Sequence, residues 1–182
     1  MLVECKNAKE LKEFFQCNSL NFEGLIFCFG TSFVSKLIQL KTRKYKSEKV
    51  PSHVAMYYKG FIYESTTEKV EVNNKRIPAG VRRWLCTDYL KSEAEKETSY
   101  VLFDTKLNTL ALEKFVHYPY GKDTILDYLL KDGSDGESSG LICSQYANYC
   151  AKRIPAPCVT PAELYRAAKK AERQSNNKKG QE

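Results

Sequence analysis

Residues 50–66, VPSHVAMYYKGFIYEST, constrain the chain more than any other stretch. Apolar positions run up to and away from a Lys59-Gly60 pair, the pattern of two strands joined by a tight turn. With that pair at the tip, Tyr58 faces Phe61 and the pairing runs back to set Ala55 opposite Glu64. Period-two alternation then puts His53, Ala55 and Tyr57 on one face with Ile62, Glu64 and Thr66. Glu64 becomes the diagonal neighbour of His53, with about 5–8 Å between β-carbons, close enough for a carboxylate to reach an imidazole nitrogen. A carboxylate there fixes the ring's tautomer and raises its basicity, as a general base requires. The plainer alternative is an exposed hairpin end carrying two unrelated polar residues. A three-residue loop or a bulge would break the register.

A base needs a nucleophile, and SSGLICSQYANYC supplies one. Gly140 and the serines before it suit a loop, and helical periodicity starts around Leu141 or Cys143. A thiol in a first helical turn faces unpaired backbone N–H groups and the positive end of the helix dipole, both of which favour thiolate. The same N–H groups suit a developing oxyanion. Cys150, two turns on, reads as core packing, and core packing is also the plain alternative for Cys143. His117, in VHYPYGKD, reads as a surface or capping residue, and Trp84 as core.

Elsewhere the pattern alternates between helix and strand. NAKELKEFFQC reads as an amphipathic helix with Asn7 as cap and Glu10 three residues on. GLIFCF reads as a strand, and GTSFVSKLIQLKT as a helix capped by Thr31 or Ser32 with Phe33, Leu37 and Leu40 along one side. Strands follow in EKVEV, GVRRWLC and SYVLFDT, with NNKRIPAG as a turn-rich connection. LNTLALEKFVHYP and YGKDTILDYLLK restore a helical period, and DGSDGESSG reads as a loop. TPAELYRAAKKAER carries Thr160 as cap, Pro161 in the first turn and Glu163 completing a capping box. The expected class is α+β: helices packed against a mostly antiparallel sheet, with a frayed tail from about residue 170.

The ordered set SHVAMYYKGFIYEST, GVRRWLC, YPYGKD and ICSQYANYC resembles the permuted papain-like thiol hydrolases. These are the circularly permuted branch of the NlpC-type superfamily, which includes YiiX-like bacterial proteins and a poxviral relative. The resemblance begins near EGLIFCFGTSFVSKLI, similar to that family's opening strand and helix, and runs to about Ala151. It implies a circularly permuted papain-like fold; residues 1–169 are expected as one such catalytic domain, and the basic, polar composition of residues 170–182 reads as a disordered tail. The family's histidine at the start of a strand falls on His53, its acidic residue on Glu64 and its cysteine on Cys143. The order His–Glu–Cys marks the permutation, because triads are defined by geometry rather than chain order. Ser144, Tyr120 and Gly121 are the matching oxyanion or cleft candidates. The implied activity is that of a thiol-dependent hydrolase or acyltransferase acting on an amide or ester of a peptide or lipid-acyl substrate. No cofactor and no metal are expected. EGLIF lacks the aspartate of the Gly-Asp often found before the family's first strand, and the final basic helix has no counterpart there.

Composition narrows the alternatives. The chain has 182 residues and 42% hydrophobic content, enough for one packed domain. Its longest apolar run is too short to cross a bilayer, and the N-terminus MLVECKNAKELKEFF offers helix rather than the pattern of a secretion signal, so a cytoplasmic location is expected. Seven cysteines with no CxxC pair, and two histidines, argue against a structural zinc or a disulfide framework. The net charge of +7 is concentrated at 41–49, KTRKYKSEK, and in the C-terminal tail. These segments suit contact with an anionic surface, while no specific nucleic-acid motif accompanies them. A binding module on the same fold, using that basic surface for a lipid, peptide or nucleic-acid partner with little or no catalysis, is the alternative to an enzyme.

Overall fold

Alternating segments supply most of the architecture. The computed structural model describes residues 2–72, 75–121, 141–152, 154 and 160–179. Its strands are β1 (Leu2–Cys5), β2 (Gly24–Gly30), β3 (His53–Tyr58), β4 (Phe61–Thr66), β5 (Val70–Val72), β6 (Lys75–Ile77), β7 (Gly80–Leu85) and β8 (Thr98–Asp104). Six of them form one sheet in the order β1-β8-β2-β3-β4-β7, antiparallel at every pairing, while β5 and β6 make a separate two-stranded ribbon. The helices are α1 (Ala8–Asn18), α2 (Phe33–Thr42), α3 (Cys86–Glu93), α4 (Thr109–Lys114), α5 (Cys143–Cys150) and α6 (Pro161–Lys179). The chain is therefore α+β, as its pattern implies.

The sheet is covered on both faces, which is why β2 reads as an unbroken apolar run. Leu25, Phe27 and Phe29 point toward α4, α5 and α6, whereas Ile26 and Cys28 point toward α1 and α3. On the first side Tyr165 of α6 meets Phe27 and Phe29 edge-on, at centroid distances of 5.1 and 5.4 Å. On the second, Phe15 of α1 stacks on Tyr57 at 4.4 Å. A fully buried ring such as Phe27 contributes about 1.5–3 kcal/mol by burial alone, and the half-buried Tyr165 less. The helix starts follow local hydrogen-bonding chemistry. Asn7 accepts the Glu10 N–H (3.0 Å), and Thr160 and Glu163 cap each other reciprocally at 3.2 and 3.0 Å.

Several segments depart from their sequence pattern. Leu2–Cys5, expected as part of a helical N-terminus, is a strand, because it completes the sheet edge against β8. Residues 75–77, inside the expected turn-rich connection, pair with β5. Helix α3 takes Cys86 from the end of the expected strand GVRRWLC, continues through a stretch with no expected element, and buries Cys86 and Tyr89. Helix α6 continues to Lys179, through most of the expected disordered tail, on a run rich in helix formers. The side of α2 that carries Leu37 and Leu40 faces outward, with the two leucines 39% and 57% exposed. The inner side of α2 is held by polar contacts. Gln39 Nε2 donates to the Gly30 carbonyl at 3.1 Å, Thr42 is buried, and Ser35 lies so close that a β-carbon on Gly30 would sit 2.8 Å from its hydroxyl. The expected helix at YGKDTILDYLLK, beyond Gly121, and the loop DGSDGESSG lie outside the described residues.

Candidate active site

The β3–β4 hairpin closes through Lys59 and Gly60, whose φ values of 46° and 83° are both positive, as a two-residue type I′ turn needs. The register is the expected one, with Tyr58 opposite Phe61 and Ala55 opposite Glu64. His53 and Glu64 thus meet diagonally, and His53 Nε2 lies 2.7 Å from Glu64 Oε2.

The other carboxylate oxygen belongs to an arginine. Strand β7 sets Arg82 directly opposite Glu64, and Arg82 donates to Glu64 Oε1 from Nε (2.9 Å) and from a terminal nitrogen (2.6 Å). Its remaining nitrogen donates to the Glu68 carbonyl at 2.9 Å, and the guanidinium lies 4.5 Å from the Trp84 ring centroid. Glu64 and Arg82 are both buried, so the carboxylate is divided between two partners rather than left to solvent. Each ion needs the other, since an unpaired buried charge is strongly unfavourable. Arg82 stands in the GVRRWLC segment without an assigned role. Alternation was the available signal: Arg82 shares a face with Trp84, and that face is the Glu64 side once β7 is paired with β4.

Cys143 arrives from the opposite layer. Leu141 is clamped between strands: its carbonyl accepts from the Ser65 hydroxyl and the Gly121 N–H, and its N–H donates to the Pro119 carbonyl at 3.0 Å. Tyr120 and Leu141 form a parallel bridge beside it. The Ile142 N–H donates to Gln145 Oε1 at 3.1 Å, which caps α5 so that Cys143 is its first helical residue. The thiol reaches past the end of the sheet, where His53 begins β3, and lies close enough to the imidazole to raise its pKa. With Nε2 on Glu64, Nδ1 is the nitrogen left to the sulfur.

The electrostatics follow from these contacts. Burial disfavours charge on His53, but the charge and hydrogen bond of Cys143 and then those of Glu64 outweigh it and raise the histidine pKa from 6.5 to about 10. Burial likewise opposes charge on Glu64, yet the His53 hydrogen bond and the Arg82 charge hold it down at about 2. The neighbouring thiol of Cys28 behaves oppositely. Burial, reinforced by Glu93, pushes it well above its ordinary value, and its sulfur lies 3.6 Å from the Tyr89 hydroxyl. Cys28 is therefore a poor nucleophile at neutral pH.

These groups line one cavity of about 750 Å³. His53, Glu64, Arg82 and Cys28 form its sheet wall, Val34, Ser35 and Ile38 of α2 another, and Tyr120, Ile142 and Cys143 a third. Glu68, Glu93, Lys96 and Glu97 make a charged end. Of the three expected cleft residues only Tyr120 is a wall residue, with its hydroxyl pKa raised by burial and by Cys143. Ser144 is fully buried, because the residue after Cys143 turns around the helix into the packing, and the Gly121 N–H is taken up by Leu141. His117 is exposed and lies outside the cavity, its backbone N–H on the Val81 carbonyl. Six cysteines among the described residues are free, and no group of three His, Cys, Asp or Glu residues there is placed to hold a metal. No described helix is long and apolar enough to cross a membrane.

The buried Glu64 carboxylate, the His53 imidazole and the Cys143 thiol at the head of α5, far apart in the chain, meet at one cavity of an α+β protein. No family model, no curated protein and no solved structure matches the chain.

Proposed function

We propose that the chain is a thiol-dependent hydrolase or acyltransferase acting on an amide or ester, with Cys143 as nucleophile and His53 as acid and base, on a circularly permuted papain-like fold. The observation that carries this reading is His53 standing between the Cys143 thiol and the Glu64 carboxylate at the wall of a cavity large enough for a substrate. Such an alignment is what nucleophilic acyl transfer requires.

In this reading the thiolate of Cys143 attacks the carbonyl carbon, and the carbonyl π-electrons move to oxygen. In the same reading the first-turn N–H groups of α5, which have no acceptor within a helix, and the hydroxyl of the wall residue Tyr120 are the donors to the developing oxyanion. Tyr120 is kept protonated by burial and so remains a donor. Collapse expels the amine or alcohol, which takes its proton from the His53 imidazolium, and leaves a thioester on Cys143. Water or another acceptor then attacks, giving its proton back to His53 as the thiolate leaves. Glu64 does not touch the reacting atoms; it positions the imidazole, and Arg82 positions Glu64.

The test is labelling with electrophilic probes that mimic amides and acyl esters, followed by peptide mapping. Cys143 is expected to label faster than the exposed Cys17, which serves as an internal reference. Cys143→Ala leaves only the slower labelling of Cys17, and His53→Ala slows labelling of Cys143 by about 10²-fold or more. Equal labelling of Cys17 and Cys143 overturns the proposal. Binding of a partner that survives Cys143→Ser, with no turnover of any amide or ester, points instead to a binding module.

A further inference from the structure

Helix α2 is amphipathic in the reverse sense for a helix packed on a sheet. Its inner side touches the fold through Ser35, Gln39 and Thr42, and its outer side carries Val34 (57% exposed), Leu37 (39%) and Leu40 (57%). These three lie at spacings of three residues and so form one contiguous stripe. Tyr45, in the turn that follows, is 72% exposed. Nothing within the described chain covers the stripe.

The charge around it is one-sided. From residue 36 to residue 49 there are six lysines and arginines and a single acidic residue, most of the surplus behind the chain's net +7. That one acid, Glu48, is bound at 2.7 and 2.8 Å by Arg166, so it does not offset the lysines outside. Lys36 lies on α2 itself, and Lys44 and Lys46 flank Tyr45; all three are exposed. An apolar stripe bordered by lysines, with an exposed tyrosine at its end, matches the layered chemistry of a lipid surface: acyl chains, interfacial region and phosphate. Arg166 also donates to the Thr42 carbonyl at 2.8 Å, so the helix is pinned to α6 and its outer face is presented rigidly.

We propose that the outer face of α2 docks on an anionic lipid bilayer, with Val34, Leu37 and Leu40 in the acyl boundary and the lysines on the headgroups. Since Val34 and Ile38 also line the cavity, docking brings its α2 wall against the lipid surface. The surface is independent of the thiol chemistry, so its test does not depend on Cys143.

The experiment is co-sedimentation of the full chain with phosphatidylcholine vesicles, with and without phosphatidylserine. Binding to the anionic vesicles is expected to be at least 10-fold tighter and to weaken as salt rises. Leu37→Glu with Leu40→Glu should lower it by at least 10-fold, and each of Lys36→Gln, Lys44→Gln and Lys46→Gln by about fivefold. Both leucines are exposed, so the double variant keeps its thermal midpoint, and Cys143→Ser keeps full vesicle binding. Three results overturn the proposal: binding indifferent to phosphatidylserine; binding to RNA or vesicles that depends on the lysines but not on the leucines; or no vesicle binding together with a dimer that the leucine variant dissociates.

Discussion

At the scale of single residues, the candidate site depends on how one carboxylate divides its two oxygens. Glu64 gives Oε2 to His53 and Oε1 to Arg82, which lets a buried acid stay ionised beside a cationic imidazole. Arg82→Met leaves Glu64 buried with half its partners and is expected to destabilise the fold by about 3–5 kcal/mol, read from urea unfolding. Glu64→Gln removes one of the contributions that hold the His53 pKa at about 10. NMR titration of the imidazole should therefore show its midpoint falling by more than one pH unit. The chain has only two histidines, so a His117→Gln control assigns the signal. A midpoint unchanged by Glu64→Gln would mean that the carboxylate does not act on the ring.

At the scale of elements, the hairpin was fully legible before any tertiary information. A two-residue turn admits one register, and that register alone sets His53 diagonal to Glu64. The turn itself is tuned unevenly. Gly60 sits at φ 83° with open space around it, whereas Lys59 holds φ 46° with a side chain that resists it. Gly60→Ala is expected to lower stability by about 1 kcal/mol and Lys59→Gly to be neutral or slightly stabilising, both measured as shifts in thermal midpoint. Helix α2 shows the converse. Its stripe of Leu37 and Leu40 is real, but periodicity gives only that a helix has an apolar side, not which side faces the sheet. Here Gln39 on the Gly30 carbonyl and the close approach of Ser35 to Gly30 decide the orientation. Short edge elements such as β1 and α3 were illegible for a related reason: four to eight residues carry too little periodicity, and their stability comes from partners distant in sequence.

At the scale of the whole molecule, the ion pairs that join separate elements set a pH range for the fold. Glu64 and Glu48 are both held at about 2, Glu64 by its hydrogen bonds and ion pairs against the opposing effect of burial, Glu48 chiefly by the Arg166 hydrogen bonds. Their contribution is complete above the ordinary carboxylate value near 4.5 and is lost as pH falls toward 2. His53 works in the other direction. Its contribution is complete below the ordinary value of 6.5 and is lost as pH rises toward 10. Together these pairs give a stability maximum between about 4.5 and 6.5, with the urea midpoint falling on either side. Glu64→Gln should flatten the acid limb, and an acid limb identical to that of the unaltered chain would show that Glu64 is not held down in the fold.

The sequence by itself determined the α+β class, the hairpin register that sets His53 diagonal to Glu64, and the cap residues of α1 and α6, since each rests on side-chain periodicity or on bonding within a few residues. Only the tertiary structure decided that the Cys143 helix, packed on one side of the sheet, reaches His53 on the other. The same holds for Arg82 as the second partner of Glu64, for the burial of Ser144 and for the outward face of α2. Those outcomes depend on which layers stack and how each helix is rotated, and such choices are made by contacts between residues far apart along the chain.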